Sequence, residues 1–233
     1  MKLPVADILL DAFRIPWHNR KDFARVLLIP LTGIVVVDFV QYYWIAEVEF
    51  ARPLISTLFL LLNAVLFSWL AVCCHRLVLL GIEGESGDRK WTRRETHFLL
   101  VLTGLYISAT LITWLGGMFS SLVLPALLGG WFLAFVYIFA WYLFARVSLI
   151  LPAIALDHPF NLVRAWRQSA GSGLRLFVIV CILPWALSSS LWSLYPSGDD
   201  VPVLSALIQG LTTLLLVCEI SALSLCYRFL AHK

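Results

Sequence analysis

Long apolar runs bounded by charge constrain this chain more than any other feature. A helix needs about 20 predominantly apolar residues to cross the hydrocarbon of a bilayer. Runs of that length recur at about 25–46, 54–74, 97–118, 174–195 and 203–227. A further stretch from Leu122 to Leu156 is too long for one perpendicular span and too short for two spans and a turn. We read one span there, about 130–150, preceded by an apolar lead-in with Pro125, Gly129 and Gly130. Only 13% of the residues are charged, against about 25% in soluble domains, and mean hydropathy is +0.90. The expectation is an all-α integral membrane protein, with residues 1–233 forming one domain of six transmembrane helices.

Lysine and arginine set the orientation of such a chain, because cytoplasmic loops retain them. Six spans place every lysine and arginine except Arg52 on one side. The other side carries Glu47, Glu49, Asp199 and Asp200. The bias predicts both termini and the polar loop from Ile82 to Glu95 in the cytoplasm. No cleavable signal peptide is expected, since Asp7, Asp11 and Asp22 interrupt the first 22 residues.

Two further segments are amphipathic but too short to cross. Val5, Ile8, Leu9, Ala12 and Phe13 share one helical face, and Pro16 should end that helix, placing it at about 4–16. Asn161 is a candidate N-cap for a second helix at about 161–170. There Leu162, Ala165, Trp166 and Ser169 lie on one face, opposite Arg164, Arg167 and Gln168. Both read as helices lying in the cytoplasmic interface. Trp17, Trp91 and Trp166 fall at that interface, and Trp44, Trp114, Trp131 and Trp192 near the other, as an aromatic belt requires. A weak threefold pattern runs through the chain. Arg76, Arg146 and Arg228 each close an even-numbered span, and a tryptophan, arginines and a phenylalanine precede each odd-numbered one.

Ionisable groups inside a bilayer cost about 2.5–3.5 kcal/mol at mid-span on insertion scales. Asp38, Arg146 and Glu219 are such groups, with Asn63 and Gln209 as polar company. Arg146 and Glu219 sit at similar depth on spans of the same direction, so the expectation is a buried ion pair. Asp38 lies nearer the outer leaflet with no obvious cationic partner. Arg14, Arg20, Lys21, Arg25, Arg164, Trp166, Arg167 and Arg175 are placed to meet anionic headgroups.

Signatures of catalysis are missing from the sequence. The five histidines are scattered, without HExxH, and there is no GxSxG, P-loop or GxGxxG. His75 and His97 flank one loop and read as interfacial residues. The five cysteines show no CxxC spacing and lie in or beside apolar segments, so they read as small packing residues. No catalytic, metal or cofactor residues are assigned, and no nucleic-acid partner is expected.

Four segments carry a resemblance. They are His75-Arg76-Leu-Val-Leu-Leu-Gly81, Trp91-Thr-Arg-Arg-Glu95, Arg146 through Pro152 to Asp157, and Ala165-Trp166 to Leu176-Phe177. Together they resemble an uncharacterised family of bacterial inner-membrane proteins. It is similar to the YciC-type proteins and to the membrane domain fused to some glycerophosphodiester phosphodiesterases. The resemblance implies a six-span inner-membrane protein and little about activity. Where such proteins often show a Gly-Asn pair, this chain has Gly171-Ser-Gly173.

The functional expectation is a non-enzymatic bacterial inner-membrane protein. It would act through lipid contact, with anionic headgroups on the cytoplasmic side, or as an accessory subunit of another membrane protein. The alternative is a small transporter or channel using Asp38, Arg146 and Glu219. A phosphodiester or lipid-modifying enzyme rests on analogy with the fused domain alone.

Overall fold

A computed structural model describes residues 3–44, 52–82, 91–159, 161–194 and 202–231. These residues are helical almost throughout: α1 (Val5–His18), α2 (Arg20–Trp44), α3 (Arg52–Leu80), α4 (Arg93–Val123), α5 (Ala126–Val147) and α6 (Ile150–Ala155) come first. There follow α7 (Leu162–Gln168), α8 (Gly173–Phe177), a π-helical turn (Val178–Ile182), α9 (Leu183–Trp192) and α10 (Pro202–Ala231). Six stretches are long and apolar enough to cross a membrane: Arg20–Gln41, Leu54–Leu80, Arg93–Val123, Leu128–Ala155, Gly173–Trp192 and Leu207–Ala231. The chain is a multi-pass membrane protein. The acidic turns at Glu47, Glu49, Asp199 and Asp200, the loop residues 83–90 and the Trp44 side chain lie outside the described residues.

The last helix is the hub. Its span is 56% buried, against 11% for that of α4. It packs on α1, α2, α3, α6, α9 and the π turn. Helices α3 and α10 run parallel in steady register: Cys74 Sγ approaches the Val217 carbonyl and the Ser221 hydroxyl, and His75 Nδ1 lies 2.7 Å from Ser224 Oγ. Lipid tails are as apolar as leucine, so helices in a bilayer associate through close packing and interhelical polar contacts. Serine and cysteine provide both, and Ser68, Cys74, Ser221 and Ser224 are all fully buried here. Cys73 and Cys226 are buried as well, and the five cysteines are unbridged.

Helices α4 and α5 form a hairpin turned by Leu124 and Pro125. It closes on glycine: a Cβ on Gly116 would lie 2.6 Å from Val136 Cγ1, and one on Gly129 would lie 2.6 Å from Ser120 Oγ. The outer faces of this hairpin display Tyr106, Ile107, Trp114, Trp131, Phe135 and Ile138. In a bilayer those residues meet acyl chains.

Several boundaries differ from the sequence reading. α1 runs through Pro16 to His18, since a proline one turn from the end removes a single hydrogen bond. Its apolar face docks on protein: Ile8 and Ala12 are buried, and Leu9, Ala12 and Phe13 lie against Leu215, Cys218 and Ala222 of α10. In the fifth span, Pro184 cannot donate to a preceding carbonyl. The helix widens just before it, with the Leu183 N–H bonded to the Val178 carbonyl in i→i−5 register.

Candidate functional site at the arginine-rich end

The segments singled out by their motifs converge at one end of the bundle. Thr92, Arg94 and Glu95 open α4 with a capping box. The Thr92 backbone N–H donates to Glu95 Oε2 at 2.7 Å, and the Arg94 N–H donates to Thr92 Oγ1 at 3.3 Å. That cap aims Arg94 at Asp157, which its Nη1 meets at 2.9 Å, while Arg76, from the last turns of α3, approaches the same carboxylate at 3.7 Å. Arg76 also donates to the Ala155 carbonyl at 3.2 Å. Asp157 therefore ties the ends of α3, α4 and α6 together.

The backbone at Asp157 is unusual. Its φ is +58°, a left-handed conformation at the position after a helix where glycine is the common choice. The His158 N–H returns to the Ala153 carbonyl at 2.9 Å and the Asp157 N–H to Ile154 at 3.0 Å, which completes a Schellman cap. Aspartate tolerates this conformation better than most residues. Only a carboxylate there also answers two arginines.

Arg146 closes α5 and is fully engaged, though not as expected. Its Nε donates to Ser169 Oγ at 2.9 Å and its Nη2 to the Trp166 carbonyl at 2.8 Å. The guanidinium lies 3.4 Å from the centroid of the Trp166 ring, with the Tyr142 ring at 5.9 Å. The expected Arg146–Glu219 ion pair does not form. The reason is the fold-back of α7, which brings a carbonyl, a hydroxyl and an aromatic face to the guanidinium. Glycine is required for that fold-back. Gly171 has φ +74°, and a Cβ on Gly173 would lie 2.7 Å from Tyr142 Oη and 3.3 Å from Arg146 Cδ.

Glu219 lies elsewhere. It borders an apolar groove formed by α1, the fifth span and α10, lined by Leu9, Phe13, Pro184, Leu187 and Leu215. The void there, about 20 Å³, is no larger than a single water needs. Asp38 is far from both. Its carboxylate accepts from Asn63 Nδ2 at 2.6 Å and from Gln209 Nε2 at 2.5 Å, joining α2, α3 and α10. The three intramembrane ionisable groups thus occupy three separate sites.

His75 is buried, 1% exposed, bonded to Ser224 and 5.8 Å from the Phe98 ring. This corrects its reading as an interfacial residue beside His97, which is exposed. The signal was its place on the α3 face shared with Cys74, visible only once α10 supplies the facing serines. Among the described residues no three His, Cys, Asp or Glu side chains gather as metal ligands.

Of the basic residues expected at headgroups, Arg14, Arg20, Lys21, Arg25, Arg164 and Arg167 are exposed. Arg20 lies over the Trp17 ring at 5.9 Å. Arg175 differs: its Nη1 donates to the Leu3 carbonyl at 2.6 Å, anchoring the start of α1. In α7, capped by Asn161 through the Val163 N–H at 2.9 Å, Ala165 and Ser169 face inward. Leu162, Val163 and Trp166 are 56%, 55% and 41% exposed, beside Arg164 and Arg167. The face shared by Leu162, Ala165, Trp166 and Ser169 is therefore half buried against protein and half exposed. Behind it Arg164, Gln168, Asn161, His158 and Tyr227 line a notch, with His158 Nδ1 3.1 Å from Tyr227 Oη.

Comparison with protein-family models, curated proteins and solved structures finds no match to this chain. The functional reading rests on the residues themselves.

Proposed function

We propose that this protein resides in a bacterial inner membrane, with both termini cytoplasmic, and that it is non-enzymatic and holds anionic lipid headgroups at its arginine-rich end. The supporting observation is α7, which exposes Leu162, Val163 and Trp166 next to Arg164 and Arg167. Apolar side chains and guanidinium groups on one short helix suit the boundary between acyl chains and headgroups. Arg164 and Arg167 are exposed on the same helix and supply guanidinium donors for a phosphate ester. Arg14, Arg20 and Lys21 extend the basic surface, and each such residue near an anionic membrane contributes about 1 kcal/mol. Helices α1 and α7 lie in the cytoplasmic interface in this reading, and the resemblance to the YciC-type proteins is part of it. A transporter using Asp38, Arg146 and Glu219 has less support, because each is held in a different place.

Intact-mass spectrometry of protein extracted in mild detergent tests the proposal. Phosphatidylglycerol or cardiolipin should be retained, and Arg164→Ala combined with Arg167→Ala should lower retention severalfold with an unchanged far-UV spectrum. Equal retention by the double variant would refute a headgroup site on α7. A stoichiometric protein in place of lipid would make the chain an accessory subunit.

A further inference from the structure

Asp38 joins three helices well inside the bundle. It lies six residues from the end of α2, Asn63 eleven from the start of α3, and Gln209 seven from the start of α10. These separations correspond to about 9, 16 and 10 Å of helix at 1.5 Å per residue. Among the described residues no lysine, arginine or histidine meets the Asp38 carboxylate. A second observation points the same way. Asn63 Oδ1 is buried and has no hydrogen-bond partner, and such orphaned acceptors are rare enough to call for an explanation.

We infer that Asp38, Asn63 and Gln209 form a binding site for one small monovalent cation of the sodium class. The carboxylate would supply the charge and Asn63 Oδ1 a neutral oxygen ligand. Intramembrane carboxylates demand compensation, and hard cations in membrane proteins are met by carboxylate and carbonyl oxygens. Each Asp38 oxygen accepts one amide N–H and keeps a second lone pair, so a cation can be met without displacing either amide. One carboxylate matches one positive charge, which favours a monovalent ion. Because the ligands come from α2, α3 and α10, occupancy would hold those helices together and stabilise the folded bundle.

Radioactive ²²Na⁺ binding to the full chain in detergent tests this directly, paired with thermal unfolding in NaCl and in choline chloride at equal ionic strength. Saturable binding displaced by unlabelled NaCl and not by choline is expected, with a higher Tm in NaCl. Asp38→Asn should abolish both effects, and Asn63→Leu, which keeps the carboxylate, should weaken binding at least tenfold. Absence of saturable binding by the unaltered protein overturns the proposal, whatever the variants do. So does an equal rise of Tm in choline chloride, or undiminished binding by Asp38→Asn. Stabilisation that follows pH and ignores sodium would assign the site to a proton and overturn it too.

Discussion

A charged side chain in a membrane protein is intelligible only with its partner, and Arg146 shows how local that partner can be. Three of its contacts come from Trp166 and Ser169, about two dozen residues along the chain. Guanidinium is planar and weakly hydrated, so stacking on indole while donating to a carbonyl and a hydroxyl suits it without an anion. Glu219, with no such set, borders an apolar groove. The two residues should therefore act independently. In a double-mutant cycle of Arg146→Met and Glu219→Gln, scored by thermal unfolding in detergent, we expect additivity within about 0.5 kcal/mol. Arg146→Met alone should cost about 1–3 kcal/mol through the loss of two charge-assisted hydrogen bonds and of the stacking on Trp166. A coupling energy above 1 kcal/mol would contradict the separation seen here.

At the level of elements, small residues decide how closely helices approach. Gly116 is the contact point of the α4–α5 hairpin, and Val136 opposite is β-branched, with its Cβ 3.2 Å from where a new methyl would lie. A stiff side chain cannot rotate clear of that methyl. Gly116→Ala should therefore part the two helices and lower stability by about 1–3 kcal/mol. Gly104 serves as the control on the same helix. Nothing lies within 4 Å of a Cβ built there, so Gly104→Ala should be neutral or stabilise by up to about 1 kcal/mol. Equal effects at both positions, measured by thermal unfolding, would mean that the hairpin does not close on Gly116. The α3–α10 seam follows the same rule with serine and cysteine, and its polar atoms bond across the interface.

For the whole molecule, burial is uneven. The core gathers around the second half of α10, with Leu70–Leu77 of α3, Leu149–Ala155 and the apolar face of α1. The α4–α5 hairpin is largely exposed. Cross-links at the arginine-rich end, through Asp157, Arg146 and Arg175, reinforce the same half. The positive-inside bias makes that half the cytoplasmic one in our proposal. Reporter fusions after Gly87 and after Lys233 should then show cytoplasmic activity, and one at Ser197 should show periplasmic activity. The reverse pattern at any of these positions would break the six-span, N-in arrangement.

Membrane insertion, helicity and the number of long apolar helices were legible in the sequence because each depends on a contiguous run of some 20 residues. Asn161 as a cap, the packing role of the cysteines, and Asn63 and Gln209 as polar groups within the spans could likewise be read from residue type and position, though not that these two meet Asp38. Tertiary structure alone decided which groups meet. Gln209 lies 171 residues from Asp38, and Ser224 lies 149 from His75. Nothing in the local pattern of either partner encodes the register of α3 against α10. The same holds for Arg146, whose choice between Glu219 and Trp166 depended on a fold-back that Gly171 and Gly173 permit. Hydrophobic length is a one-dimensional property that a bilayer reads directly, whereas the pairing of polar groups is a packing outcome, set only when all the helices have found their places.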